Sequence, residues 1–320
     1  MMQDYKANLN QRYWNYQKFQ FSKEHNFFER PHSQDGRPPV FIRNEAWRNV
    51  IINPVADRQE TNRLLALIPK GERHKWFGSM NSSQALAQSV FGNLLIYNSL
   101  HCLSDLKDDA GMPLLGKAQI SPDNFEMEKK IGYLGEPRQT SLDGYISGEY
   151  QIAIECKFTE TEVGTCSRPR LKTKDSNYAN DYCDGTYSVQ KRRNTRCSLT
   201  ERGILYWRYI PQLFKWTIDC DLRPCPLNKN YQLVRNILAA GVKSDGIVSS
   251  NNGHAVLIYD ERNPAFQNNG DGSIAYIEVQ KALQEPTMLR KCSWQRIIQH
   301  IKEMNILFWL TENLDLKYGL

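Results

Sequence analysis

The chain has no long apolar run. Nowhere do its 320 residues gather the roughly 18–20 consecutive apolar residues that a membrane-spanning helix needs. The nearest stretches, 93–103 and 306–310, are too short or are broken by polar residues. The opening MMQDYKANLNQRYW has no apolar segment behind its charges, so no secretory leader and no membrane contact are expected, and a cytoplasmic setting is the expectation. Signature loops are missing too. There is no G-x-x-x-x-G-K-[ST] loop, no G-x-G-x-x-G fingerprint and no H-E-x-x-H pair. These absences remove the common phosphate-cradling, dinucleotide-binding and zinc-protease sites. No helicase or methyltransferase signature, internal repeat or long low-complexity tract occurs. No C-x-x-C pair occurs either, so the spacings match no common zinc finger.

What is present fits a globular protein: 40% hydrophobic and 24% charged residues, with a mean hydropathy of −0.61. This length can bury a sizeable core in one large domain or two smaller ones. Lysine and arginine exceed the acids by a formal charge of +6, with a pI near 8.8. That excess favours a polyanionic partner, although a slightly basic enzyme of any class would carry it. Eight cysteines without a leader point to reduced thiols or a metal site rather than a disulfide framework.

Periodicity orders the chain. Residues 1–45 read as an N-terminal arm, a helical extension carrying YWNYQKFQF and then the breaker-rich RPHSQDGRPP. Its aromatic and basic residues suit base stacking or, as the favoured reading, docking of a helix on the main body. Residues 47–68 read as helical in their second half, ended by Pro69. Ser82 or Ser83 caps a second helix, whose Leu86, Val90, Phe91, Leu94 and Leu95 recur at helical spacing. Period-two segments follow at 125–134, 142–146 and 151–158, an antiparallel meander. After a polar stretch from 159 to about 202 come a helix at 231–242, strands at 254–261 and 273–280, and a closing helix at 294–310. The order implies an α/β (α+β) mixed sheet flanked by helices, one domain over 46–320 with a cysteine-bearing insertion at about 159–202.

Chemistry concentrates on the third strand. Alternation places Ile152, Ile154, Cys156 and Phe158 on one face and Ala153, Glu155 and Lys157 on the other, with Glu155 and Lys157 about 6–7 Å apart along the backbone. Asp143 stands on the preceding strand, across a short turn, where a hairpin can bring it toward Glu155. Two carboxylates and an amine suit phosphodiester hydrolysis. Carboxylates hold Mg²⁺ and leave water positions open, the metal activates water, and a lysine orients that water or stabilises the developing charge. The acid-x-lysine pattern alone is weak, since Glu128/Lys130 repeats it on another strand. A solvent-facing Glu–Lys pair on an edge hairpin is the plain alternative. A (D/E)-x-Q look-alike, Glu278 and Gln280, reads as an ordinary sheet strand because it lacks the lysine.

The run T-S-L-D143-G-Y-I…I-A-I-E155-C-K157, with a helix, a hairpin and the E-x-K strand in order, resembles the PD-(D/E)XK nuclease superfamily. The resemblance covers 82–158 best. It departs in placing Leu142, not proline, before the aspartate, which this superfamily tolerates. It implies a restriction-endonuclease-like core, cleavage of DNA with Mg²⁺ or Mn²⁺, Asp143 and Glu155 as metal ligands and Lys157 as the catalytic lysine. Supporting residues would come from Glu126 or Glu128 on the neighbouring strand. A glutamine would add to them: Gln190, or better Gln232 on a helix beside the sheet.

The insertion adds two expectations. Cys166, Cys183, Cys197 and Cys225, with Cys220 near them, can hold structural Zn²⁺ or an iron–sulfur cluster, the latter carried by some nucleases of this superfamily; free buried thiols are the alternative. The basic runs SRPRLKTK and QKRRNTR supply Arg168, Arg170, Lys191, Arg192 and Arg193 as phosphate contacts, with Arg235 a further one on its helix. The resulting expectation is a DNA endonuclease with a restriction or defence role, paired as a homodimer because cutting both strands often takes two sites. A nucleic-acid-binding protein with weak or lost catalysis on the same fold is the alternative, and a metal-stabilised scaffold is the third reading.

Overall fold

The computed structural model describes residues 1–29, 36–137, 139, 141–167, 183, 185, 187, 197–217, 222 and 224–320. Five strands form one sheet in the order β1-β2-β3-β4-β5: β1 (Phe125–Lys130), β2 (Ser141–Ile146), β3 (Gln151–Cys156), β4 (Gly253–Tyr259) and β5 (Leu289–Ser293). The first three pair antiparallel, whereas β3, β4 and β5 run parallel. The sheet is therefore mixed. Its central strands β3 and β4 are buried along their whole length, as expected where parallel strands are covered on both faces.

Helices cover each face. Ile152, Ile154, Cys156 and Phe158 pack into one core with α1 (Met2–Gln20), α9 (Trp294–Glu303) and α10 (Phe308–Tyr318). The same core takes the helical run of α3 (Ser83–Ala87), a π turn (Gln88–Gly92) and α4 (Asn93–Ile96). In α1, Tyr5, Leu9 and Tyr13 recur every four residues and are buried. This stripe docks the helix: Tyr13 meets Tyr318 edge-on, and Tyr5 donates to the Asp260 carboxylate at 2.9 Å. The opposite face, including Ala153 and Leu257, packs against α6 (Tyr206–Leu213), α7 (Leu227–Gly241) and α8 (Asp271–Ala282). Two short helices, α2 (Arg58–Ala66) and α5 (Ser198–Glu201), complete the set among the described residues. No helix among the described residues is long and apolar enough to cross a membrane.

Three expectations are corrected. The segment 273–280 is helix α8, not a strand. Its buried residues Ala275, Tyr276 and Val279 follow helical spacing, while Ile274 and Ile277 face outward. Because β4 and β5 are parallel, the chain between them must cross back over the sheet, and a helix does this. Glu278 is thereby exposed on a helix surface and takes no part in a sheet motif. The fifth strand is instead LRKCS, whose Arg290 and Lys291 obscured the apolar pattern. Charges of this kind are ordinary on an edge strand. The closing helix stops at Glu303. Asn305 and Leu307 then adopt left-handed conformations (φ 53° and 46°), and the chain restarts as α10 in a new direction. The first strand is also shorter than its sequence pattern, ending at Lys130.

Candidate active site

The β2–β3 register pairs Gly144 with Ile154, and one further step sets Asp143 opposite Glu155. Asp143 Oδ2 accepts a hydrogen bond from the Cys156 amide at 2.6 Å, fixing its side chain across the hairpin. Glu155 and Lys157 share the face of β3 that looks toward α7, and Lys157 Nζ lies 2.8 Å from Glu155 Oε1. Lys157 also donates to Gln232 Oε1 at 2.8 Å. All three sequence-expected core residues thus meet at one place. They stand on the wall of an open cleft of about 990 Å³, also lined by Trp14, Arg37, His74, Trp76 and Glu160.

Helix α7 supplies the support. Gln232, Arg235 and Asn236 recur at i, i+3 and i+4, so they share one helical face. Asn236 donates to Glu155 Oε2 at 2.8 Å, and the Arg235 guanidinium lies 3.4 Å from the same oxygen. Arg235, expected at a phosphate, is buried and directs its donors to Glu155, Asn236 and the Ser141 carbonyl. Gly164 lets Gln232 approach: a Cβ there would come 2.0 Å from Gln232 Oε1.

The N-terminal end of α3 forms the other wall. Ser82 caps it, accepting from the Ala85 amide. Gln84 donates to Glu128 Oε1 at 2.6 Å, and Ser83 donates to Glu160 Oε1 at 2.6 Å. Glu128 accepts a second bond from the Ser141 hydroxyl. Its backbone φ of 50° is a left-handed conformation that costs a non-glycine residue about 1–3 kcal/mol. Two side-chain donors hold its carboxylate toward the cleft in spite of that strain. Glu126, by contrast, is exposed and paired with Lys129.

The electrostatics follow from this crowding. Burial raises the Asp143 pKa well above the ordinary carboxylate value, and the neighbouring Glu155 and Glu128 charges add to it. Burial raises Glu128 as well. For Glu155, burial pushes upward, but Lys157 and then Arg235 outweigh it and leave the carboxyl below its usual value. Burial opposes the charge on Lys157, yet Glu155, Glu160 and Asp143 prevail and the amine is pushed up to about 12.

Sequence reasoning missed Asn236, Glu160, Ser83, Gln84 and Ser141. Asn236 had a legible signal in its helical spacing from Gln232. Glu160 lies beyond the end of β3, where strand alternation no longer says where a side chain points. Gln190, Arg168, Arg170, Lys191, Arg192, Arg193 and Cys220 lie outside the described residues. Cys166, Cys183, Cys197 and Cys225 gather around a second, small void that shares no lining residue with this cleft.

A family model described as restriction endonuclease associating with ARP matches residues 7–319. The chain belongs to this restriction-endonuclease family. The mixed sheet with helices on both faces is consistent with a restriction-endonuclease-like core. No curated protein and no solved structure matches the chain.

Proposed function

We propose that this member of the restriction-endonuclease family is a metal-dependent nuclease that hydrolyses DNA phosphodiester bonds in a restriction or defence role. The observation that carries the reading is the meeting of Asp143, Glu155 and Lys157 in one open cleft. Asp143 and Glu155 would hold Mg²⁺ or Mn²⁺. Their oxygen donors suit a hard cation, and Asp143 Oδ1 makes no hydrogen bond among the described residues, whereas Oδ2 is tied to the Cys156 amide. Among the described residues, no three His, Cys, Asp or Glu side chains stand as a ready-made cage. This fits Mg²⁺, which is commonly held by one or two carboxylates with water and substrate phosphate completing its shell.

When bound, such an ion lowers the pKa of water and neutralises charge on the in-line transition state. Lys157 stays protonated at neutral pH, which supports a role as a donor to the developing phosphoryl charge rather than as a general base. Gln232 and Glu155 hold its ammonium in place, and Asn236 and Arg235 hold Glu155. Glu128 is a supporting acid at the cleft wall.

One observation favours the alternative of a DNA-binding protein with weak catalysis. Both oxygens of Glu155 are already engaged by Lys157, Asn236 and Arg235. Plasmid cleavage by the purified protein with Mg²⁺, Mn²⁺ or EDTA, beside Asp143→Ala and Lys157→Ala, separates the two. Metal-dependent cutting lost in both variants establishes the nuclease. Cutting retained in both moves the chemistry elsewhere, and DNA binding without cutting selects the alternative.

A further inference from the structure

Between β3 and α7 the chain brings four cysteines to one point. Cys166, Cys183, Cys197 and Cys225 line a single void of about 10 Å³ beside Gly185 and Asn228. None of the four is in a disulfide, and all lie outside helices and strands. Backbone bonds tie their segments together: the Cys225 amide donates to the Gly185 carbonyl and the Cys166 amide to the Asn228 carbonyl, each at 2.9 Å. Amides also face the sulfurs. The Gly185 N–H donates to Cys183 Sγ at 3.4 Å. The Thr200 and Leu199 amides favour the thiolate of Cys197, and the Leu227 amide favours that of Cys225.

Packing alone does not account for this pattern. Lone buried cysteines are common core residues, but close-packed interiors leave few voids. Four thiols grouped around one void match the needs of a soft cation. Burial raises Cys197, and it raises Cys225 to about 12, with the other three sulfurs adding to that rise.

We propose that Cys166, Cys183, Cys197 and Cys225 bind one zinc ion as a closed, tetrahedral structural site. Four thiolates select zinc or iron–sulfur chemistry over hard cations. The small void favours a single ion over a cluster of several irons with their sulfides. Among the described residues no three His, Cys, Asp or Glu side chains stand ready to hold an ion, so loading would have to draw the sulfurs inward. Their irregular backbone lets them move without breaking a helix or strand. As four thiols become ligands, four protons leave, and Zn²⁺ with four thiolates carries a net charge of −2.

The metal would act as a staple. One residue, Pro226, separates Cys225 from α7, and α7 carries Gln232, Arg235 and Asn236. Cys166 follows Gly164, which abuts Gln232. In sequence, SRPRLKTK lies between Cys166 and Cys183 and QKRRNTR between Cys183 and Cys197.

The test uses the full chain purified without chelator. Elemental analysis should give about one zinc per chain, and a strong chelator should release it while unmasking about four thiols to a thiol reagent. Cobalt exchanged into the site should show the intense sulfur-to-metal charge-transfer bands of tetrahedral thiolate. Cys183→Ser with Cys197→Ser should reduce zinc to background; should that variant not fold, the cobalt spectrum of the unaltered chain decides. Protein that takes up neither zinc nor cobalt, with every cysteine titrating as a free thiol, overturns the proposal. Iron with matching sulfide overturns it in favour of a cluster. None of these readouts depends on DNA cleavage.

Discussion

Replacing Asp143 with asparagine should stabilise the protein when metal is withheld and cost it stability, relative to the unaltered chain, when metal is supplied. In the metal-free state the Asp143 carboxyl resists ionisation, because burial and the Glu155 and Glu128 charges act against it. Asparagine carries no charge, has nearly the same shape and still accepts the Cys156 amide bond that Oδ2 accepts now. Relieving a functional site in this way is commonly worth about 0.5–2 kcal/mol. For a chain of this length that is a rise in melting temperature of about 1–3 °C. Mg²⁺ at about a hundred times its Kd would stabilise the unaltered chain by roughly 2.7 kcal/mol. The variant lacks one of the two carboxylate ligands and should gain much less, so the order of the two melting temperatures should invert. Thermal melts of both proteins in EDTA and in Mg²⁺, at one protein concentration and low salt, read this directly. A variant less stable than the parent in EDTA, or an equal Mg²⁺ shift in both proteins, would refute the argument. Asp143 would then be an ordinary structural carboxylate.

Gln232→Leu removes the acceptor on which Lys157 rests, and metal-dependent cleavage should fall about 10–100-fold with little change in melting temperature; unchanged cleavage would show that Lys157 needs no such support. Gly164→Ala drives a Cβ into Gln232 at a backbone φ of 103°. It should cost about 1–3 kcal/mol in urea denaturation and reproduce the cleavage defect. His254 is buried between the Tyr150 hydroxyl and the Leu114 carbonyl, and burial, with Arg290 behind it, lowers its pKa to about 3. Below pH 6.5 the unfolded chain binds a proton that the folded chain refuses. His254 therefore removes about 1.4 kcal/mol of stability per pH unit as pH falls from 6.5 toward 3, and nothing above 6.5. Urea midpoints across that range should fall more steeply for the unaltered chain than for His254→Gln; parallel slopes would mean that the histidine is protonated in the fold.

Where burial is one-sided or complete, the sequence was readable. Ile152, Ile154, Cys156 and Phe158 alternate because one face of β3 meets α1, α9 and α10, and the same alternation placed Glu155 and Lys157 together. The Ser82 cap and the buried stripe after it were equally plain. Reading failed where a segment met two environments. In α8 the apolar residues alternate in sequence, yet only those at helical spacing face the sheet. In β5 two charged residues sit among buried ones. Local pattern could not reveal either, since only the parallel pairing of β4 with β5 requires a crossover helix before a fifth strand. The site was legible in its strand-borne members. On helix α7 Gln232 was read and Asn236 could have been from its spacing, whereas Ser83 and Glu160 depend on how distant elements meet.

That distant assembly also explains why a cation suits this cleft. Glu128, Asp143, Glu155 and Glu160 converge there, against the cations Lys157 and Arg235. If all were ionised, these six side chains would leave two uncompensated negative charges. Three of the carboxylates already have partners that favour the anion: Gln84 and Ser141 for Glu128, Ser83 and the Phe158 amide for Glu160, and Lys157, Asn236 and Arg235 for Glu155. Asp143 has one amide for one oxygen. Buried charge without a partner is among the most expensive arrangements a protein can hold, and such groups concentrate at working sites. The imbalance therefore falls on Asp143, the residue that the strand register sets opposite Glu155. Asp143 and Glu155 are the residues that would hold a divalent ion, and its charge would offset both excess charges. Lys157, which Gln232 holds at the cleft, would then be the cation available to a phosphate.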